Sequence, residues 1–221
     1  MIFTDLNASN FDFNKDFYVA EFEDLLSKII FCYHLMLSDN ITLVNSENKM
    51  RDVLMLNYLK NNEIRKDIGL TNFLFDREVP EDTTIGRTDI KVQTINSFED
   101  TSAYYIIECK RLNNINPTGK TGLNAKYISE GLHRFSTDFY ASHYKVNGMI
   151  AFIINDLDIN KNIDCINKLL STSFSNVITK QPLTSILISK NFDYSYFSRH
   201  RVKQNDIDIY HLMLDVSKNI N

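Results

Sequence analysis

The hydrophobic pattern changes period after Gly69, and that change constrains the fold more than any other feature of the chain. Before it, Phe22, Leu25, Leu26, Ile29, Ile30, Tyr33 and Leu37 recur at helical spacing and predict a helix over 18–37. The stretch "NSENKMRDVLMLNYLKN" predicts a second helix, with Ser46 at the N-cap and Met50, Val53, Leu54 and Leu59 facing inward. After Gly69, "FLFDREV", "RTDIKVQTI" and "AYYIIECK" alternate as strands do, with turn signals in "PEDTTIG" and "NSFEDTS" between them. The spacing predicts an antiparallel meander of three strands. A polar loop, "NNINPTGKTGLN", leads to a helix over 125–144, then to "GMIAFII", a compact apolar run of the kind buried in parallel sheets. "NIDCINKLLS" reads as a short helix, and "LTSILIS" and "IDIYHLMLDV" as closing strands with the basic "SYFSRHRVKQND" as the loop between them. This order predicts an α/β chain with one mixed central sheet and helices on both faces.

The chain has 221 residues and a net charge of -4, which argues against non-specific coating of nucleic acid. The charge is unevenly spread. Six bases and two acids lie between Lys110 and Lys145, and Arg199–Lys203 adds three bases with no acid. Two basic zones on an acidic background fit a polyanion bound at one place, and equally fit ordinary solvated charge. The three cysteines, Cys32, Cys109 and Cys165, form no CxxC pair and no zinc spacing. The first residues lack the basic start and apolar run of a signal peptide, and the longest apolar stretch, Ile29–Leu37, is about half a membrane span. A cytoplasmic protein with no membrane partner is the expectation.

The chemistry concentrates at the end of the third strand, in "YYIIECKRL". Residues i and i+2 of a strand share a face, so Glu108 and Lys110 leave the sheet together while Cys109 points the other way. Asp89, in "GRTDIKV", lies on the preceding strand at a separation of 19 positions, which an antiparallel pair joined by a turn closes. Two carboxylates side by side repel each other, and a divalent cation removes that repulsion. Mg²⁺ favours carboxylate and carbonyl oxygens together with phosphate oxygens, and the Cys109 carbonyl lies between the two side chains. Lys110 is then placed to orient or deprotonate the attacking water, or to neutralise charge on the phosphate. The competing reading is a cross-strand ion pair.

"GRTDI … IIECKRL" resembles the PD-(D/E)XK nuclease superfamily, the restriction-endonuclease-like fold, over roughly residues 45–155. The resemblance implies an αβββαβ core at 45–155, an N-terminal helical extension at 1–44, and a C-terminal helix and strands at 156–221, all in one domain. It implies that Asp89 and Glu108 bind the metal, with Lys110 as the catalytic lysine. The proline of the family motif is absent, since Thr88 precedes Asp89. The "GR-x-D" form resembles nucleases of bacterial restriction and defence. The implied activity is Mg²⁺-dependent hydrolysis of phosphodiester bonds in DNA, with Mn²⁺ as the expected substitute. A catalytically silent binding or subunit-interaction module is the alternative. A homodimer or a partner subunit of a defence system is the partner class implied beside DNA.

Further residues follow from that reading. Glu47, at the start of the second helix, matches a metal-reaching glutamate, although an acid there also complements the helix dipole and lies at i, i+4 from Arg51. Glu78, ending the first strand, is a weaker candidate. Tyr127, Gly131, Arg134 and Asp138 share one helical stripe, which makes Tyr127 and Arg134 candidate substrate contacts. Gly131 costs a helix about 1 kcal/mol relative to Ala, which close approach of a ligand or of the sheet would explain. Arg87 and Arg111, flanking the motif residues, are further substrate candidates. His200 is a candidate base in the basic loop, and His211 is expected to be a satisfied core histidine.

Overall fold

A computed structural model describes residues 13–80, 87–137 and 144–221. The first helix, α1 (Phe13–Ser38), carries the expected apolar face: Phe22, Leu25, Leu26, Ile29, Ile30 and Tyr33 are buried, with Cys32 and Met36 beside them. The second, α2 (Glu47–Val53), runs on into a π-helical turn (Leu54–Leu59), and a short α3 (Asn62–Asp67) follows. Ser46 occupies the N-cap of α2 but makes no side-chain cap bond.

The strands β1 (Leu74–Pro80), β2 (Arg87–Gln93) and β3 (Tyr104–Leu112) form the expected antiparallel meander. The expected turn at "PEDTTIG" lies mostly outside the described residues. Next comes a helix built from α4 (Leu123–Lys126), a π-helical turn (Tyr127–Leu132) and α5 (His133–Ser136). The expected continuation of that helix, with Asp138 and Phe139, lies outside the described residues. The "GMIAFII" run is β4 (Val146–Ile153), buried throughout and parallel to both neighbours. After α6 (Ile159–Thr172) come β5 (Thr179–Ser185), β6 (Ser195–Val202) and β7 (Asn205–Asp215).

All seven strands join one mixed sheet in the order β1-β2-β3-β4-β7-β6-β5. Each face carries its own apolar core. On one side Tyr105, Ile107 and Cys109 of β3 pack with α1 and the helix that begins as α2. On the other, Tyr104, Ile106 and Leu112 pack with the α4–α5 helix and α6. The alternation of β3 is thus written into two cores. Tyrosine hydroxyls tie α1 to the sheet: Tyr105 donates to Glu21, Tyr210 to Glu23, and Tyr33 to the Asp215 carbonyl.

Two strands differ from expectation: β5 starts at Thr179, ahead of the "LTSILIS" run, and ends at Ser185 within it, and β6 is not among the expected strands. The basic segment predicted as a loop belongs to β6, hydrogen-bonded to β5 and β7. Its even positions, Tyr196, Ser198, His200 and Val202, are buried, while Arg199 and Arg201 sit half-exposed on the other face. Arg199 pairs with Asp208 and Arg201 with Asp206, each directly opposite on β7. The bases are therefore cross-strand partners of acids, not a basic loop following a phosphate backbone.

Candidate active site

The β2–β3 register places Ile90 opposite Ile107, so one step further sets Asp89 opposite Glu108. There the ladder gives way to a side chain: Cys109 N–H donates to Asp89 Oδ2 at 2.8 Å. That bond fixes the Asp89 carboxylate between the two strands. Glu108 and Lys110 share the face of the α4–α5 helix, as alternation demands, and Cys109 is buried in the opposite core.

The Lys110 ammonium is the centre of the cluster. Its Nζ lies 2.6 Å from Glu108 Oε1, 2.8 Å from the Cys109 carbonyl, 3.2 Å from Glu47 Oε1 and 3.9 Å from Asp89 Oδ2. Glu47 comes from the first turn of α2, so three elements converge on one nitrogen. Arg134, from α5, donates to the same Glu108 oxygen at 2.7 Å. Five of the sequence-predicted residues, with the Cys109 carbonyl, therefore meet at one place.

Burial sets the charge states. Glu108 has no exposed surface, and burial, then the neighbouring Asp89 charge, push its carboxyl up to about 7 against the pull of Lys110 and Arg134. Burial alone would weaken the Lys110 ammonium. Glu108, Asp89 and Glu47 outweigh it and hold the amine above its ordinary range. In this arrangement Lys110 is a donor and a positive charge, not a base.

Sequence reasoning missed Arg51 as a member of the site. It is 1% exposed, and instead of pairing with Glu47 it donates to Asp89 Oδ1 at 3.3 Å, Glu78 Oε1 at 3.0 Å and Asp52 Oδ1 at 2.9 Å. Glu78 lies between the register pairs Arg77↔Ile90 and Val79↔Thr88, hence across from Asp89, with a left-handed φ of 49°. That conformation is uncommon for a residue with a side chain. Arg51 thus joins β1 and β2 behind the cluster. The available signal was its place on the buried stripe of α2, among Met50, Leu54 and Met55, where a guanidinium must find carboxylates.

Three predicted residues have other duties. Tyr127 is fully buried, and its hydroxyl bonds His211 Nδ1 at 2.6 Å, so it presents no surface to a substrate. His200 is buried on β6 between Ser198 and Thr179, and burial lowers it to about 4, so it is neutral and away from solvent. Arg87 stands beside Glu78, 4.0 Å from its Oε2, at the outer end of β2. His211 is a satisfied core histidine, bonded to Tyr127 and Ser198. Gly131 answers to packing: a Cβ there would lie 2.4 Å from Met149 Cε and 3.5 Å from Lys110 Cγ.

A polar cavity of about 330 Å³ opens beside Lys110. Asn45, Ser46, Glu47 and Asn48 line one side, Leu123, Lys126 and Glu130 the other, with Lys110 and Arg111 between. Arg111 braces the first wall by donating to the Asn45 carbonyl and to Asn45 Oδ1. Among the described residues no group of three or more His, Cys, Asp and Glu side chains is set to hold a metal ion. The oxygens instead close on the ammonium, and they are all of the hard type that Mg²⁺ selects. The donor set fits such a cation in kind, at the point where a cation is already held.

No protein-family model, curated protein or solved structure matches this chain. No helix among the described residues is long and apolar enough to cross a membrane.

Proposed function

We propose that this chain is a metal-dependent nuclease of the PD-(D/E)XK type, hydrolysing phosphodiester bonds in DNA. One observation carries the reading: Glu47, Asp89, Glu108 and the Cys109 carbonyl converge within 4 Å of the Lys110 ammonium. The order of α2, three antiparallel strands, the α4–α5 helix and a parallel strand also agrees with the core of that superfamily.

Glu47, Asp89, Glu108 and the Cys109 carbonyl would hold Mg²⁺. When bound, Mg²⁺ supplies Lewis acidity that polarises a phosphoryl oxygen and activates water. Lys110, kept charged by its three carboxylates, turns towards the phosphate and stabilises the negative charge that grows there in the transition state. Arg134 holds Glu108 from the helix side and offers its guanidinium edge to the same phosphate. Asp89 is kept in place by Cys109 N–H and Arg51 while Lys110 turns.

A non-catalytic binding module is the second reading. Lys110 already balances the acids, and no closed metal cage stands among the described residues. Purified protein incubated with Mg²⁺ and plasmid, linear and single-stranded DNA, with an EDTA control, separates the two. Lys110→Ala and Asp89→Asn are expected to lower cleavage by about 100-fold or more, with far-UV circular dichroism unchanged. Full activity in a folded Lys110→Ala protein, or no cleavage by the wild type on any substrate, would sink the nuclease reading.

A further inference from the structure

We infer that the cleft admits DNA one strand at a time, and that Lys126 holds a phosphate flanking the one at Lys110. This rests on the nuclease reading and adds the class of substrate. The groups that would meet the scissile phosphate lie deep: Glu108 is 0% and Lys110 5% exposed. The cavity that reaches Lys110 measures about 330 Å³. That is the low end of ordinary ligand pockets, about 300–1,000 Å³, and gives room for roughly one nucleotide rather than a stacked pair. Contacts brace both walls. Arg111 ties the Asn45 wall to β3, and Gly131 brings the opposite helix into contact with Met149 and close to Lys110.

The charges agree with a single strand. A duplex presents two phosphate backbones and is held by bases spread over a broad face. The two arginines of the chain's other basic segment, on β6, pair with Asp208 and Asp206. At the cavity the bases are Lys110, Arg111 and Lys126, three in a single small opening. Lys126 lies at its outer part. Its side chain is 55% exposed, and its contact with Glu130 is a loose 3.9 Å. An exposed pair of that kind contributes little, so the ammonium is readily redirected to a phosphate. The Asn45, Ser46 and Asn48 side chains offer polar groups to a sugar or a base on the other wall.

The test is binding of a fluorescein-labelled oligodeoxynucleotide, single-stranded or annealed to its complement, by wild type and Lys126→Ala. Anisotropy is followed over a KCl series, in EDTA and in Mg²⁺ at short times. Single strand is expected to bind about tenfold tighter than duplex. Lys126→Ala is expected to weaken single-strand binding about three- to tenfold. It should also flatten the plot of log K against log salt by about 0.7, the contribution of one single-strand phosphate. A fold defect would not change that slope by one contact. Equal or tighter duplex binding, an unchanged slope, or no binding of either form overturns the inference. Cleavage rates separate it from the reading beneath it. Duplex cut as fast as single strand keeps the nuclease and removes the single-strand cleft. Single-strand preference with the slope change but no cleavage keeps the cleft and removes the nuclease.

Discussion

Arg51 offers the sharpest test of how the site is held together. Replacing it with Met keeps most of the buried aliphatic volume and removes the guanidinium. Three carboxylates then lose a partner, and their exposure decides the cost. The side chains of Glu78, Asp52 and Asp89 are 45%, 22% and 15% exposed, so water can take over the first, water and the remaining Arg77 ion pair the second, and water little of the third. Removing one partner of a fully buried pair costs about 3–5 kcal/mol. With two of the three acids partly hydrated, the expected loss is about 2–3 kcal/mol. For a chain of this size that lowers Tm by about 5–10 °C, read by calorimetry or circular dichroism. A cycle with Asp89→Asn isolates the arm that matters to the site and is expected to show coupling of about 1–2 kcal/mol. A Tm within 1 °C of the wild type, or strict additivity with Asp89→Asn, would show that Arg51 does not organise Asp89.

Two further outcomes follow from the same geometry. Glu108 titrates near 7 in the fold against an ordinary 4.5, so between those values the folded state binds the proton that the unfolded state has lost, and stability falls as pH rises through that window. The difference amounts to about 3 kcal/mol; urea denaturation at pH 5 and pH 8 should show Glu108→Gln gaining on the wild type by that order, and a pH-independent difference would refute it. Gly131→Ala sets a methyl against Met149 Cε and is expected to destabilise by about 1 kcal/mol net of its helix propensity. The loss should shrink in a Met149→Ala background, and additivity of the two changes in a double-mutant cycle would show that Gly131 is there for another reason.

The parts of the molecule legible in the sequence are those where side-chain type follows burial. Tyr105, Ile107 and Cys109 alternate with Tyr104 and Ile106 between two cores, so the strand and the shared face of Glu108 and Lys110 could be read directly. The separation of Asp89 from Glu108 gave the register because one hairpin joins them. Residue type misled at β6. Its buried face carries Ser198 and His200, which bond Thr179 and His211 in place of apolar packing, so no hydrophobic alternation marks the strand. Tyr127 was misplaced for a geometric reason. The stripe shared with Arg134 assumes α-helical winding, but a π-helical turn over Tyr127–Leu132 turns the chain less per residue and carries Tyr127 into the core. Local spacing offers Glu47 as one partner for Arg51. Its true partners on β1 and β2 come from a contact that only the packing of α2 on the sheet creates.

The charge of the cluster links its two proposed ligands. Glu47, Asp89 and Glu108 face one ammonium, with Arg134 and Arg51 at the back, so the acids are largely neutralised before any ion arrives. A divalent cation entering this place must displace the Lys110 Nζ, and the two positive charges repel each other at close range in a poorly solvated site. Lys110 cannot relieve this by shedding its proton while the carboxylates hold its amine above the ordinary range. It must swing towards other anions. Beyond Glu47 the way out leads into the cavity, whose described lining holds Arg111 and Lys126 against the single further acid Glu130. An ammonium turned that way meets net positive charge unless a phosphate is already there. On the proposed function, the substrate's phosphate would be the group that draws Lys110 out of its cage and opens the oxygens to the metal, and metal and DNA would then bind in support of one another through the movement of one side chain.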